Sequence, residues 1–150
     1  MGSLVSPHGR STLSPLIAPK QKLATVERHA RNLIQIPMTS REKSDLLLMA
    51  MGAYTPIKGF LGEADWANIC GNMRLDDGLF WPIPITLSIA KSLAKNIAIG
   101  DEVVLIDPED NDLPMAILTV TEKYLPDLEF ECKHVFGTTN KAHPGVKNIL

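Results

Sequence analysis

The sequence predicts an α+β domain with a mainly antiparallel, barrel-like sheet. Three observations carry this. Apolar residues at helical spacing fill the first half of the chain, period-two alternation fills much of the second, and the two patterns do not interleave as regular βαβ units. The length of 150 residues suits one domain, or one domain and the start of another, and is enough to bury a sizeable core.

Residues 1–20 contain Pro7, Pro15, Pro19 and several serines and read as an irregular lead-in. Lys22 to Ile34 places Leu23, Val26, Ala30, Leu33 and Ile34 on one helical stripe, with Pro37 as its stop. A second helix opens at Thr39. Glu42 stands three residues on, the spacing at which the two side chains satisfy each other's backbone N–H groups. Leu46, Leu47, Met49, Ala50 and Ala53 follow, with Gly52 near the stop, so this helix reads as apolar on most sides and buried. Thr55-Pro56, Gly59 and Gly62 then shape a tight exit. Glu63 to Ile69 reads as a short helix stopped by Gly71, with Trp66 and Ile69 inward.

Asp76-Asp77-Gly78 is a turn signal between Met73–Leu75 and Leu79–Ile89. In the second arm Ile83, Ile85, Leu87 and Ile89 alternate toward one side, and Pro82 and Pro84 confine it to an edge or a bulge. Lys91–Asn96 reads as a short helix, Glu102–Ile106 and Met115–Glu122 as strands around an acidic turn, and Leu128, Cys132 and Val135 as a helix ended by Gly137. Residues 138–150 begin a new pattern.

Composition excludes several classes. The hydrophobic fraction of 45% argues against disorder, and the net charge of −2 against a dedicated nucleic-acid or anionic-membrane surface. Two cysteines, Cys70 and Cys132, make no disulfide framework and suit a reducing cytoplasm. The N-terminus lacks an apolar core of signal-peptide length. Met1-Gly2 with Ser6 fits a loose myristoylation pattern that no second signal supports. The longest apolar run, Leu46–Met51, falls far short of the roughly 20 residues of a membrane span.

No phosphate loop and no G-x-G-x-x-G occur. Three S-x-x-K pairs (Ser40/Lys43, Ser88/Lys91, Ser92/Lys95) lack the companion motifs of the penicillin-binding class. Cys132, His134 and His143 could supply three metal ligands, but structural zinc wants four at paired spacing, and the inward face of a helix explains Cys132 better. Asp107–Asp112 fails the calcium-loop pattern in either register and reads as an exposed turn. Thr39-Ser40-Arg41 at a helix start could hold an anion, yet Thr39 and Glu42 already account for those donors. The Arg28/Arg31 face reads as solvated. The residues alone therefore show no catalytic constellation.

Four blocks carry a resemblance. Ser40-Arg41, Ser44-Asp45-Leu46 and Gly52–Pro56 with Gly59-Phe60-Leu61 match the run S-R-x-x-S-D-L…G-x-[FY]-[ST]-P-L-x-G-F-[LM], with Ile57 where Leu is usual. Asn72–Leu75, Gly78 and Trp81–Thr86 match N-M-R-L…G…W-P-I-P-I-x. Gly100–Val103 through Asp107-Pro108, and Val135–Thr139 with His143–Val146, supply the other two. In this order the blocks resemble the N-terminal domain of ATP sulfurylase (sulfate adenylyltransferase).

The resemblance implies a PUA-like pseudo-barrel of mainly antiparallel strands with several short helices. It implies a lead-in at 1–20, the domain at 21–137, and a junction at 138–150 to a catalytic domain outside this chain. The parent enzyme uses ATP, with Mg, and sulfate to give adenylyl sulfate and pyrophosphate. Its Q-x-R-N-P, H-x-x-H and G-R-D-H segments are missing here, so no catalytic, cofactor-binding or metal residue is carried over, and this segment is expected to hold no cofactor and to be inactive alone. The expected partners are its own catalytic domain and further copies in a homo-oligomer, in the cytoplasm, with no nucleic acid and no membrane. The alternative is a stand-alone PUA-like module, since such folds also bind RNA. The slight acidity and 5% aromatic content weigh against it.

Overall fold

Strand β2 (Glu102–Asp107) takes the middle of the sheet because Val103, Val104, Leu105 and Ile106 can be buried on both faces, and all four are. The structure, a computed structural model, describes residues 5–150; Gly2, on which the lipidation pattern depends, lies outside them. β1 (Ile34–Pro37) pairs parallel with β2, Ile34 opposite Val103. β3 (Leu113–Thr119) pairs antiparallel with it, Glu102 opposite Thr119, through an irregularity at Leu105/Ile106. Pro37 and Pro114 both lie in outer strands, where a missing N–H is tolerated. The α+β class holds; the sheet among the described residues is three-stranded and mixed.

The described residues form two compact units, 5–60 with 87–121, and 61–86 with 122–150. In the first unit the two faces of β2 feed two apolar clusters. Val103 and Leu105 pack with Ile36, Met38, Ile97 and Val120; Val104 and Ile106 pack with Ala30, Leu33 and Ile117. Helix α1 (Leu23–Ala30) follows a 3-10 turn at Lys20–Lys22. It is shorter than the helix predicted over Lys22–Ile34. Ile34 and Ile36 instead build β1, where β-branched side chains suit a pleated surface and Pro37 disfavours helix in the residue before it.

Helix α2 (Ser40–Ala50) carries the predicted capping box between Thr39 and Glu42. Its predicted apolar burial is corrected. The buried side chains are Glu42, Asp45 and Met49, while Leu47 and Met51 are exposed. Residues 79–89 form no strand. Arg74 and Phe80 make one isolated antiparallel bridge at the turn, and Ile83 is exposed while Ile85 is buried, so the period-two reading fails. Pro82 and Pro84 cannot donate to a ladder, which accounts for this. Helix α4 (Lys91–Ala94) leads back toward β2.

The second unit is helical. α3 (Glu63–Asn72) runs through Gly71 and stops instead at Met73, which adopts a left-handed φ of 54° and bonds its N–H to the Ile69 carbonyl. The Glu122 carboxylate accepts from the Glu63 N–H at 3.1 Å, filling an open donor at the helix start. α5 (Leu128–Val135) begins under the Asp127 carboxylate, which accepts from the Phe130 N–H. α6 (Pro144–Ile149) packs on α5. There Gly145 lies against the Phe136 ring, and a Cβ on it would come within 2.7 Å of ring carbons. Among the described residues no helix is long and apolar enough to cross a membrane.

Candidate functional site

The polar centre of the first unit is the Glu42 carboxylate, which is almost wholly buried. The capping geometry of α2 aims it inward. Oε2 accepts from the Thr39 N–H and the Thr39 hydroxyl, both at 2.8 Å. Oε1 accepts from the Ser88 N–H and the Ser88 hydroxyl, both at 2.6 Å. Burial pushes the pKa up, but the bonds from Ser88 and Thr39 outweigh it and hold this carboxyl below its ordinary range. A groove of about 330 Å³, lined by Ile36, Pro37, Thr39, Glu42, Ser88 and Ile89 among others, lies over this clamp. A carboxylate offers about four acceptor positions, and four donors occupy them here. It has nothing left with which to take a proton from a ligand or hold a metal.

The rest of α2 is engaged in the same way. Lys43 Nζ donates to Asp107 at 2.9 Å and to Glu109 at 2.7 Å, and Ser40 donates to Glu109, so the helix is tied to the acidic turn after β2. Glu109 and Asp107 raise the Lys43 pKa, and Lys43 lowers both of theirs. Asp45 accepts from the Tyr54 hydroxyl at 2.9 Å and pairs with Arg41 at 3.4 Å. Burial and then Asp45 push the Tyr54 hydroxyl up to about 12. Thr55 donates to the Gly52 carbonyl and accepts from the Ser14 N–H, just before a cis Thr55–Pro56 bond.

The sequence candidates separate under this geometry. The capping box occupies the Thr39 and Glu42 N–H groups, two of the donors at this helix start. Ser40 and Ser88 donate to carboxylates, which leaves the pairs Ser40/Lys43 and Ser88/Lys91 unsupported as nucleophile and base. Cys132 is fully buried, His134 bonds to the Phe130 carbonyl and His143 stacks on Phe136. Among the described residues no group of three His, Cys, Asp or Glu could hold a metal. In the Asp107–Asp112 turn, Asp107 and Glu109 are paired with Lys43.

Sequence reasoning missed the partners. Glu42 and Ser88 are 46 residues apart, and Lys43 and Asp107 are 64 apart. One signal was present. If Thr39 caps α2, then Glu42, Asp45 and Met49 share its inward face at helical spacing, and two of the three are acids that require donors.

In the second unit Trp66 Nε1 donates to the buried Glu131 carboxylate at 2.7 Å, with Tyr124 and Phe130 beside the indole. Burial and then Glu131 push the Cys70 thiol up to about 12, and burial raises Cys132 as well. Both thiols are therefore expected to resist alkylation at pH 8 in the folded chain and to react together when the second unit opens. Thiol titration along a urea gradient reads this. A fast phase in the absence of denaturant contradicts it.

The chain belongs to the PUA-like domain family, whose profile it matches over residues 5–150. Within that family its relatives are sulfate adenylyltransferases. It is 47% identical to that of Syntrophobacter fumaroxidans over 100% of this chain and 37% of the relative. It is 43% identical to that of Chlorobaculum tepidum (99% and 37%) and 41% identical to that of Thiobacillus denitrificans (100% and 36%). The chain thus spans little more than a third of these relatives. Among solved structures it resembles a hexameric APS kinase from Thiobacillus denitrificans, with TM-score 0.70 and 34% identity over 83% of this chain and 24% of that one.

Proposed function

We propose that this chain is the N-terminal domain of a sulfate adenylyltransferase, the enzyme that joins ATP and sulfate into adenylyl sulfate and pyrophosphate. The observation that carries the reading is its end-to-end similarity to enzymes of that name while spanning only 36–37% of three of them. The site geometry supports a scaffolding role. The polar side chains of its first motif block (Ser40, Arg41, Asp45, Tyr54, Thr55) bond to one another, to Glu109 or to backbone.

In this reading residues 1–20 lead in, 21–137 form the domain and 138–150 join a catalytic domain. The parent enzyme binds ATP with Mg on that other domain, works in the cytoplasm and assembles from several copies; the hexameric state of the similar APS kinase fits the last point. The purified 150-residue chain is expected to make no adenylyl sulfate from ATP and sulfate. Turnover above a no-protein control overturns the scaffold reading.

A further inference from the structure

In the first unit, segment 13–17 and the end of α2 both expose apolar side chains. Leu16 donates its N–H to the Ala50 carbonyl, and Gly52 lies against Pro15 and Leu13. The irregular segment 13–17 is thereby fixed along the end of α2. Met51 bonds back to Leu47, which places those two side chains one turn apart on the same side of the helix end. These adjoining segments expose Leu13 (59% exposed), Leu16 (44%), Ile17 (68%), Leu47 (48%) and Met51 (59%). Scattered exposed leucines need no explanation, but a pinned cluster of five does.

Charge selects what covers it. Arg10 precedes the patch, and Lys20 and Lys22 follow it. No acid occurs between residues 5 and 26, and both acids of α2, Glu42 and Asp45, are buried. A second copy meeting the patch through a two-fold axis would set these cations against themselves. An anionic bilayer suits the charge, but residues 5–26 contain no Trp, Tyr or Phe, the side chains that anchor at membrane interfaces.

We infer that the face formed by Leu13, Leu16, Ile17, Leu47 and Met51 is the seat of an apolar, acid-rimmed surface on the remaining portion of the same polypeptide. The inference rests on the reading of this chain as one domain of a sulfate adenylyltransferase.

The test uses Met51→Cys in two settings: the 150-residue chain, and a chimera in which this chain replaces the matched part of the Syntrophobacter fumaroxidans enzyme. Cys70 and Cys132 are buried, so the new thiol reports alone. Its alkylation is expected to be about tenfold or more slower in the chimera. The double change Lys20→Glu with Lys22→Glu should return the chimera's rate toward that of the isolated chain. A chimera that makes adenylyl sulfate but leaves this thiol equally reactive overturns the docking face and spares the domain reading. A chimera with neither activity nor protection counts against both. Two controls on the isolated chain can also overturn the inference. One is flotation with phosphatidylglycerol vesicles that Leu16→Asp abolishes, which assigns the face to a membrane. The other is self-association that Leu16→Asp abolishes, which assigns it to a second copy.

Discussion

Replacing Glu42 with alanine is expected to lower the stability of the chain by about 3–5 kcal/mol, read as a shift of the urea midpoint. Bonds from neutral donors to a buried carboxylate are worth roughly 1.5–3 kcal/mol each in their net effect, and they are not additive. The substitution removes the acceptor for the Thr39 and Ser88 N–H groups together. It also unties α2 from the segment around Ser88. Glu42→Gln keeps the shape but turns an NH₂ toward one of the two donor pairs, and should cost about 2 kcal/mol.

The same residue sets an acid limit. Its folded pKa lies below the ordinary value of 4.5, so the folded state favours the ionised form more than the unfolded chain does. That contribution is complete above about pH 4.5 and is lost as pH falls through the folded value. Stability measured from pH 6 downward should therefore show an acid limb that is shallower in Glu42→Gln. An identical limb in the variant would assign acid sensitivity to other carboxylates.

The second large effect is expected at Trp66. Trp66→Ala removes a buried indole from between Tyr124 and Phe130 and should cost about 3–5 kcal/mol. Trp66→Phe separates packing from hydrogen bonding. It keeps most of the apolar volume but deprives the Glu131 carboxylate of its 2.7 Å donor, for a loss of about 1–3 kcal/mol. Adding Glu131→Gln to Trp66→Phe should recover part of that loss, because a neutral amide is less costly to leave under-bonded than a carboxylate. A double variant as unstable as the sum of the two singles would rule out direct coupling between the side chains.

Much of the fold was legible where neighbours in sequence decide structure. The Thr39/Glu42 cap, the inward Trp66 and Ile69, the Glu102–Ile106 strand and the helix over Leu128, Cys132 and Val135 depend on spacings of a few residues, and each is present. The readings that failed needed distant information. Ile34 and Ile36 satisfy a helical stripe and a strand equally well, and only pairing with Val103–Ile106 decides between them. Residues 83–89 alternate on paper, but the prolines beside Ile83 remove the donors a ladder requires. At the site, the sequence showed an absence of catalytic motifs and nothing more. The buried Glu42 carboxylate, held by Ser88 from 46 residues away, could not be read from it.

The parallel pairing of Ile34–Pro37 with Val103–Ile106 also sets an order of events at the ribosome. The first half of the chain emerges with a strand whose edge has no mate until about seventy further residues have been translated, because parallel neighbours cannot be supplied by a hairpin. Closing so long a loop is slow, and an unmated edge invites foreign strands in the meantime. The nascent polypeptide should therefore be most dependent on chaperones between the synthesis of residue 37 and the appearance of residue 106.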